Sequence, residues 1–219
     1  MDENRLIRAW QATREWITTR VVRRILRVLV LLRVFRVTVT GRGRFPRSGA
    51  VIVVANHVSM LDGLYVWGAM RRRATALAMA EVWAMPIVGR LARWVRFVPV
   101  ERGRKDSGAI ALERLERCLR AGRAVIVFPE GRCAPPGETF PFRPGAAVLA
   151  VRTGAPIVPV GLVGTNDVLP LAKYARGKRI DLTRRVRVHV GDPIRPEEHD
   201  DVAALTAAVE ARVRELSAA

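Results

Sequence analysis

Lysine is almost missing from this chain: Lys105, Lys173 and Lys178 are the only three among 38 basic residues, and arginine supplies the rest. Aromatic residues make up only 6%, and no stacking or groove-reading motif accompanies them, which argues against nucleic-acid recognition. The two cysteines, Cys118 and Cys133, form neither a disulfide framework nor a zinc-ligand pattern, so a reducing compartment is the simplest setting. Long apolar runs are lacking too. The most apolar stretch near the start, Val28 to Leu32, is flanked by Arg27 and Arg33 and falls far short of the roughly 20 residues that cross a bilayer. No apolar signal-peptide core with a small-residue cleavage site precedes it. A nucleotide-binding glycine loop and a cluster of metal ligands are also missing, so neither cofactor nor metal is expected.

What is present is a folding composition. Half of the 219 residues are hydrophobic, which excludes global disorder, and the length suits one domain. The formal charge is 38 − 20 = +18. That balance favours an anionic partner, such as phospholipid headgroups, phosphorylated substrates or nucleic acid. Because the arginine skew runs through the whole composition, the charge does not select among them.

Residues 1–34 read as helix, probing a surface rather than a core. Arg20, Arg23, Arg24 and Arg27 recur at helical spacing beside Val21, Val22, Ile25, Leu26, Leu29 and Val30, with Trp10 and Trp16 upstream. A basic stripe beside an aliphatic face suits a helix lying in the headgroup region; a helix packed on the domain with solvated arginines is the plainer alternative. Residues 35–219 alternate strands and helices. Ala50 to Ala55 is an unbroken apolar run, as in a strand covered on both faces. Strands are expected near 74–79, 97–100, 124–128, 157–163 and 186–190. Helices are expected near 59–70, 106–120, 146–152 and 202–216, with Asp106 as an N-cap and Gly122 just past a helix end. This pattern is an α/β fold with helices on both faces of the sheet.

Asn56-His57-Val58-Ser59-Met60-Leu61-Asp62 follows the buried strand. In one continuous helix a five-residue offset leaves His57 and Asp62 roughly 140° apart. They can meet only if His57 sits in the strand-to-helix turn and Asp62 in the first helical turn. A carboxylate there would fix the imidazole tautomer and stabilise an imidazolium. Ser59 to Asp62 also fits a capping box, which would make the pair a structural cap.

Four blocks in order resemble the glycerol-phosphate and lysophosphatidic acid acyltransferase family. His57 to Asp62 resembles its His-x₄-Asp motif, Phe97-Val98-Pro99-Val100-Glu101-Arg102 its second, Phe128-Pro129-Glu130-Gly131-Arg132 its third, and Ala155-Pro156-Ile157-Val158-Pro159-Val160 its fourth. Phe142-Arg143-Pro144-Gly145-Ala146 resembles the link between the last two. The resemblance covers roughly residues 37–195. It implies a single α/β domain with a mostly parallel mixed sheet flanked by helices, behind N-terminal amphipathic helices.

By the same resemblance, an acyl group passes from acyl-CoA or acyl carrier protein to the sn-2 hydroxyl of lysophosphatidic acid. His57 would be the general base and Asp62 its orienting partner. Arg102 would hold the acceptor's phosphate, with Glu130, Gly131 and Arg132 shaping the acceptor site. The family transfers the acyl group directly, so no serine or cysteine nucleophile is required. The implied place is the cytoplasmic side of the cell membrane, peripherally, on an anionic surface. The chain departs from the pattern where Gly-Thr-Arg-Ser is usual: Gly131-Arg132-Cys133-Ala134 stands there. Another acceptor, such as glycerol 3-phosphate, a lysophospholipid or a glycolipid, therefore stays open. The rival of another class is a non-enzymatic basic protein that binds membrane or nucleic acid.

Overall fold

The computed structural model describes residues 36–79, 98–100, 107–135, 137–169, 181 and 183–218. Helices expected at 1–34, Asp106 and Arg102 lie outside the described residues. In chain order the main elements are β1 (Arg36–Thr40), β2 (Val51–Ala55), α1 (Asp62–Ala69), β3 (Ala74–Met79), β4 (Val98–Val100) and α2 (Ser107–Arg120). There follow β5 (Ala124–Val127), α3 (Gly145–Thr153), β6 (Ile157–Val163), α4 (Thr165–Val168), β7 (Arg185–Val190) and α5 (Val202–Ala218). The strands form one seven-stranded sheet in the order β1-β7-β6-β2-β5-β3-β4. All neighbours are parallel except β6 and β7. The fold is thus the mostly parallel mixed sheet expected.

Strand β2 shows why its sequence is apolar throughout. It pairs with β5 on one side and β6 on the other, and every residue from Val51 to Ala55 is fully buried. Val51, Val53 and Ala55 join the core under α1, whereas Ile52 and Val54 join the core shared by α2, α3 and α5. A strand covered on both faces has no solvent side on which to place polar residues. Strand β7 is the contrast: Val186, Val188 and Val190 are buried while Arg185 and Arg187 are exposed. One face of that strand is covered, and period-two alternation follows.

Helix α2 buries Ala111, Leu115 and Leu119, one residue per turn on one side. Its outer side carries Glu113–Arg117 and Glu116–Arg120 pairs at i,i+4 spacing, which are worth about 0.3–0.5 kcal/mol each at a surface. Gly122, at φ 68°, ends it. The Arg123 amide donates to Cys118 O, closing the turn as αL glycine caps do.

The expected helix start at Ser59 is corrected by the structure: α1 begins at Asp62, with Leu61 before it. Ser59 does not cap the helix in the usual way. Its hydroxyl accepts the Leu61 amide at 3.2 Å and donates to Leu169 O at 2.8 Å. Serine near a turn competes for backbone groups, and here a distant carbonyl won.

Candidate active site

Strands β2 and β5 lie side by side, but the chain leaves their C-terminal ends toward opposite faces. Helix α1 follows β2 on one face and α3 follows β5 on the other, as their separate core clusters show. Diverging connections at adjacent parallel strands open a crevice at the sheet's carboxyl edge, where α/β folds bind ligands. His57 enters this crevice from β2 and Glu130 from β5.

Asn56 fixes the exit of β2. Its side-chain amide donates to Leu162 O at 3.0 Å, and its carbonyl oxygen accepts the Leu162 amide at 2.7 Å. The side chain thereby imitates one more ladder pair with β6. His57 comes next, its ring half-buried and stacked on Phe128, with centroids 4.3 Å apart and planes at 24°. Nδ1 lies 2.9 Å from Asp62 Oδ2. That same oxygen accepts the amides of Val58 at 2.7 Å and Ser59 at 2.8 Å. Asp62 is fully buried. The capping and imidazole-orienting alternatives are therefore not exclusive: one carboxylate oxygen fastens the turn and holds the ring.

Glu130 is 5% exposed, and its Oε1 accepts the His57 amide at 3.0 Å. Burial raises its pKa, and the His57 amide works in the opposite direction. Its Oε2 and Asp62 Oδ1 are buried without a hydrogen-bond partner, which marks a place where polar groups are left for something else to satisfy. Gly131 adopts φ 72°, and a Cβ there would stand 2.9 Å from Arg143 Cζ. The Arg143 amide donates to Pro129 O at 3.0 Å, so the link segment closes over the third block.

Gly131→Ala should cost about 1–2 kcal/mol, the usual penalty of an αL backbone for an L-residue. Arg143, at the flexible end of an exposed side chain, has to swing aside. A thermal melt beside a kcat/KM measurement checks this: stability falls modestly and activity falls with the displaced Glu130 turn. An unchanged melt would show that the turn relaxes freely.

Arg132 lies over the Phe140 ring, 3.8 Å from its centroid. Cys133 occupies the remaining nitrogen of the imidazole: Sγ is 3.0 Å from His57 Nε2. The contact is held by the backbone, since the Ala134 amide donates to His57 O at 2.7 Å. With Nδ1–H donated to Asp62, one proton is left for the contact between Nε2 and Sγ, carried by the ring or by the thiol. Burial disfavours a charged ring, but the hydrogen bonds to Asp62 and Cys133 outweigh it, and the His57 pKa is pushed up to about 10.

Of the expected site residues, the structure brings together His57, Asp62, Glu130 and Gly131, and places Arg132 on the same turn. Arg102 lies outside the described residues. Sequence reasoning assigned no role to Asn56, Phe128 or Arg143, and set Cys133 aside as a nucleophile the reaction does not require. Asn56 and Phe128 stood inside the quoted blocks, but their partners are remote in sequence, and no local signal announces them. Among the described residues, no group of three or more His, Cys, Asp and Glu could hold a metal ion. Among them too, no helix is long and apolar enough to cross a membrane.

A buried carboxylate aligning an imidazole at a switch-point crevice is an arrangement that can take a proton from a hydroxyl. A family model described as Acyltransferase matches residues 36–163, more than half of the chain. The chain belongs to that acyltransferase family. Its sequence is 34% identical over 190 residues to the 1-acyl-sn-glycerol-3-phosphate acyltransferase alpha of Bos taurus, covering 83% of this chain and 64% of that protein. It is 29% identical over 137 residues to the chloroplastic 1-acyl-sn-glycerol-3-phosphate acyltransferase BAT2 of Brassica napus, covering 62% of this chain and 40% of that protein. The chain thus spans less than two thirds of the length of these curated relatives. The crystal structure of the 1-acyl-sn-glycerophosphate (LPA) acyltransferase PlsC from Thermotoga maritima matches with a TM-score of 0.73 at 24% identity, covering 96% of this chain and 84% of that one. At that identity the likeness is one of fold.

Proposed function

We propose that this chain moves a fatty acyl group from an acyl thioester, on CoA or acyl carrier protein, to the sn-2 hydroxyl of 1-acylglycerol-3-phosphate, giving phosphatidic acid. The observation that carries the reading is the His57–Asp62 pair at 2.9 Å, set at the crevice of a chain from the acyltransferase family. The names of its sequence relatives support the acceptor.

In this mechanism the acceptor hydroxyl displaces Cys133 from Nε2 and gives its proton to His57 as oxygen attacks the acyl carbonyl. Asp62 holds the ring in the tautomer that leaves Nε2 free and stabilises the imidazolium that forms. The departing thiolate takes the proton back and leaves as the carrier thiol. Loss of the Cys133 hydrogen bond removes one influence that raises the imidazole pKa, so the hydroxyl that arrives meets a freer base. Glu130 holds the His57 backbone and turns its unpartnered oxygen to the acceptor's polar end. Arg102 holds the phosphate through paired charge-assisted hydrogen bonds, with Arg132 and Arg143 as cations on the neighbouring loop. The protein works on the cytoplasmic side of the cell membrane, where residues 1–34 lie on the anionic surface. Neither metal nor cofactor has a part in these steps.

The test is a panel of acceptors offered to purified protein with one acyl-CoA: lysophosphatidate, glycerol 3-phosphate, a neutral lysophospholipid and a glycolipid. Lysophosphatidate should give the highest kcat/KM. A higher value with any other acceptor replaces the substrate assignment, because Arg132 and Cys133 stand where the usual motif has Thr and Arg. No acylation of any acceptor would sink the enzymatic reading.

A further inference from the structure

Cys133 forms no bond to the acyl group in the chemistry above, yet its sulfur touches the atom that takes the proton, 3.0 Å from His57 Nε2. This cysteine is half-buried, so small molecules can reach it. Its ring partner is in turn held by the fully buried Asp62. A thiol beside an imidazole that can take its proton is the arrangement that makes cysteine nucleophilic. Two further observations describe the surroundings of this pair. Oδ1 of Asp62 and Oε2 of Glu130, both on residues more than nine-tenths buried, lack partners. The rim is cationic as well: Arg132 precedes Cys133 on the Phe140 ring, and Arg143 lies against Gly131. Cations attract an anionic reagent.

We propose that Cys133 is a thiol–disulfide exchange site at which an anionic low-molecular-weight disulfide switches acyl transfer off. The inference rests on the reading of His57 as the base of the acyl transfer. In the exchange, the proton shared by Sγ and Nε2 rests on the ring and the thiolate attacks one sulfur of the disulfide. The Sγ–S bond forms as the reagent's S–S bond breaks. The departing thiolate recovers the proton from His57 and leaves as a thiol. Cys133 is oxidised to a mixed disulfide, and half of the reagent is reduced. The adduct then occupies the space beside Nε2 that the acceptor hydroxyl needs. A dithiol reverses the exchange and restores the base.

Cys118 provides an internal comparison. It is also half-buried, but it packs on the helical core instead of on an imidazole. Full-length protein is treated with glutathione disulfide, and intact and peptide mass spectrometry are followed beside lysophosphatidate acylation. Activity should fall in step with the adduct at Cys133, faster than any adduct at Cys118, and return with dithiothreitol. The Cys133→Ser variant should keep whatever activity it has in the presence of the reagent. His57→Gln should slow labelling of Cys133 several-fold, which simple exposure of the sulfur would not do. Labelling at Cys133 with undiminished turnover, equal labelling at Cys118, or an unchanged rate in His57→Gln would each overturn the proposal. A wild type that acylates no acceptor refutes the functional reading instead, and the labelling rates still decide whether His57 activates this thiol.

Discussion

His57→Ala should abolish acyl transfer while leaving the fold intact. Removal of a general base costs about 10²–10⁴-fold in rate, and no second imidazole is near to replace it: His189 bonds Thr40 on the sheet edge, at 2.8 Å. The substitution deletes a half-exposed ring and leaves Asp62 with its two amide donors, Val58 and Ser59, so the buried carboxylate is not orphaned. Turnover with lysophosphatidate, measured beside a thermal melt, gives the answer. Retention of wild-type kcat would remove His57 from the mechanism. The pH profile of the wild type supplies a second check. Because Asp62 and Cys133 push the His57 pKa from its usual 6.5 up to about 10, the neutral ring gains population only as pH rises through that range. Activity should therefore climb on the alkaline side of 6.5 rather than level off there.

Asp62→Ala should damage both rate and stability. The carboxylate oxygen accepts three hydrogen bonds at 2.7–2.9 Å from a fully buried position. Truncation leaves the Val58 and Ser59 amides without their acceptor and frees the ring. Each buried unsatisfied donor costs about 1–3 kcal/mol, so a loss of about 2–5 kcal/mol is expected, a large part of a typical domain's 5–15 kcal/mol. Activity should fall by about 10²–10⁴-fold, because the base loses both its orientation and its counter-charge. Asp62→Asn separates the two effects. Its carbonyl oxygen can still accept the amides, so most of the stability should return while the rate stays low. Equal rates for Asn and wild type would mean that the charge has no catalytic part.

The stability effect has a pH signature as well. The folded pKa of His57 is raised above its unfolded value, so the stabilisation from that proton is complete below about pH 6.5. It is lost as pH rises toward about 10. Urea titrations at several pH values should show this decline in wild type and a weaker one in Asp62→Ala, where only Cys133 still raises the pKa.

The legible parts of this molecule were those whose causes are local. Val51 to Ala55 read as a doubly covered strand because five consecutive apolar residues leave no solvent face. The Arg-Val alternation of β7 follows from its one covered face. His57 and Asp62 were legible because both lie in one turn, and their meeting needed only a strand that ends and a helix that begins between them. The helix boundary was misjudged for a physical reason. Ser59 looked like a cap, but its hydroxyl reaches Leu169, 110 residues away, and Asp62 itself fastens the turn. The same limit hid Asn56, whose partner Leu162 is 106 residues distant. Such contacts depend on which strands become neighbours, and spacing along the chain does not encode that order. The antiparallel setting of β7 against β6 was hidden likewise.

The doubly covered central strand also determines how the molecule can fluctuate. Local openings start where burial is thin, and the last backbone to open is the one packed on every side. Here that backbone is β2, and His57 hangs two residues beyond its end, tied to β6 by Asn56. His57 therefore stands beyond one of the most deeply packed strands among the described residues, while Arg132 and Arg143 are exposed loop positions. Edge strands can fray and loops can shift without moving His57.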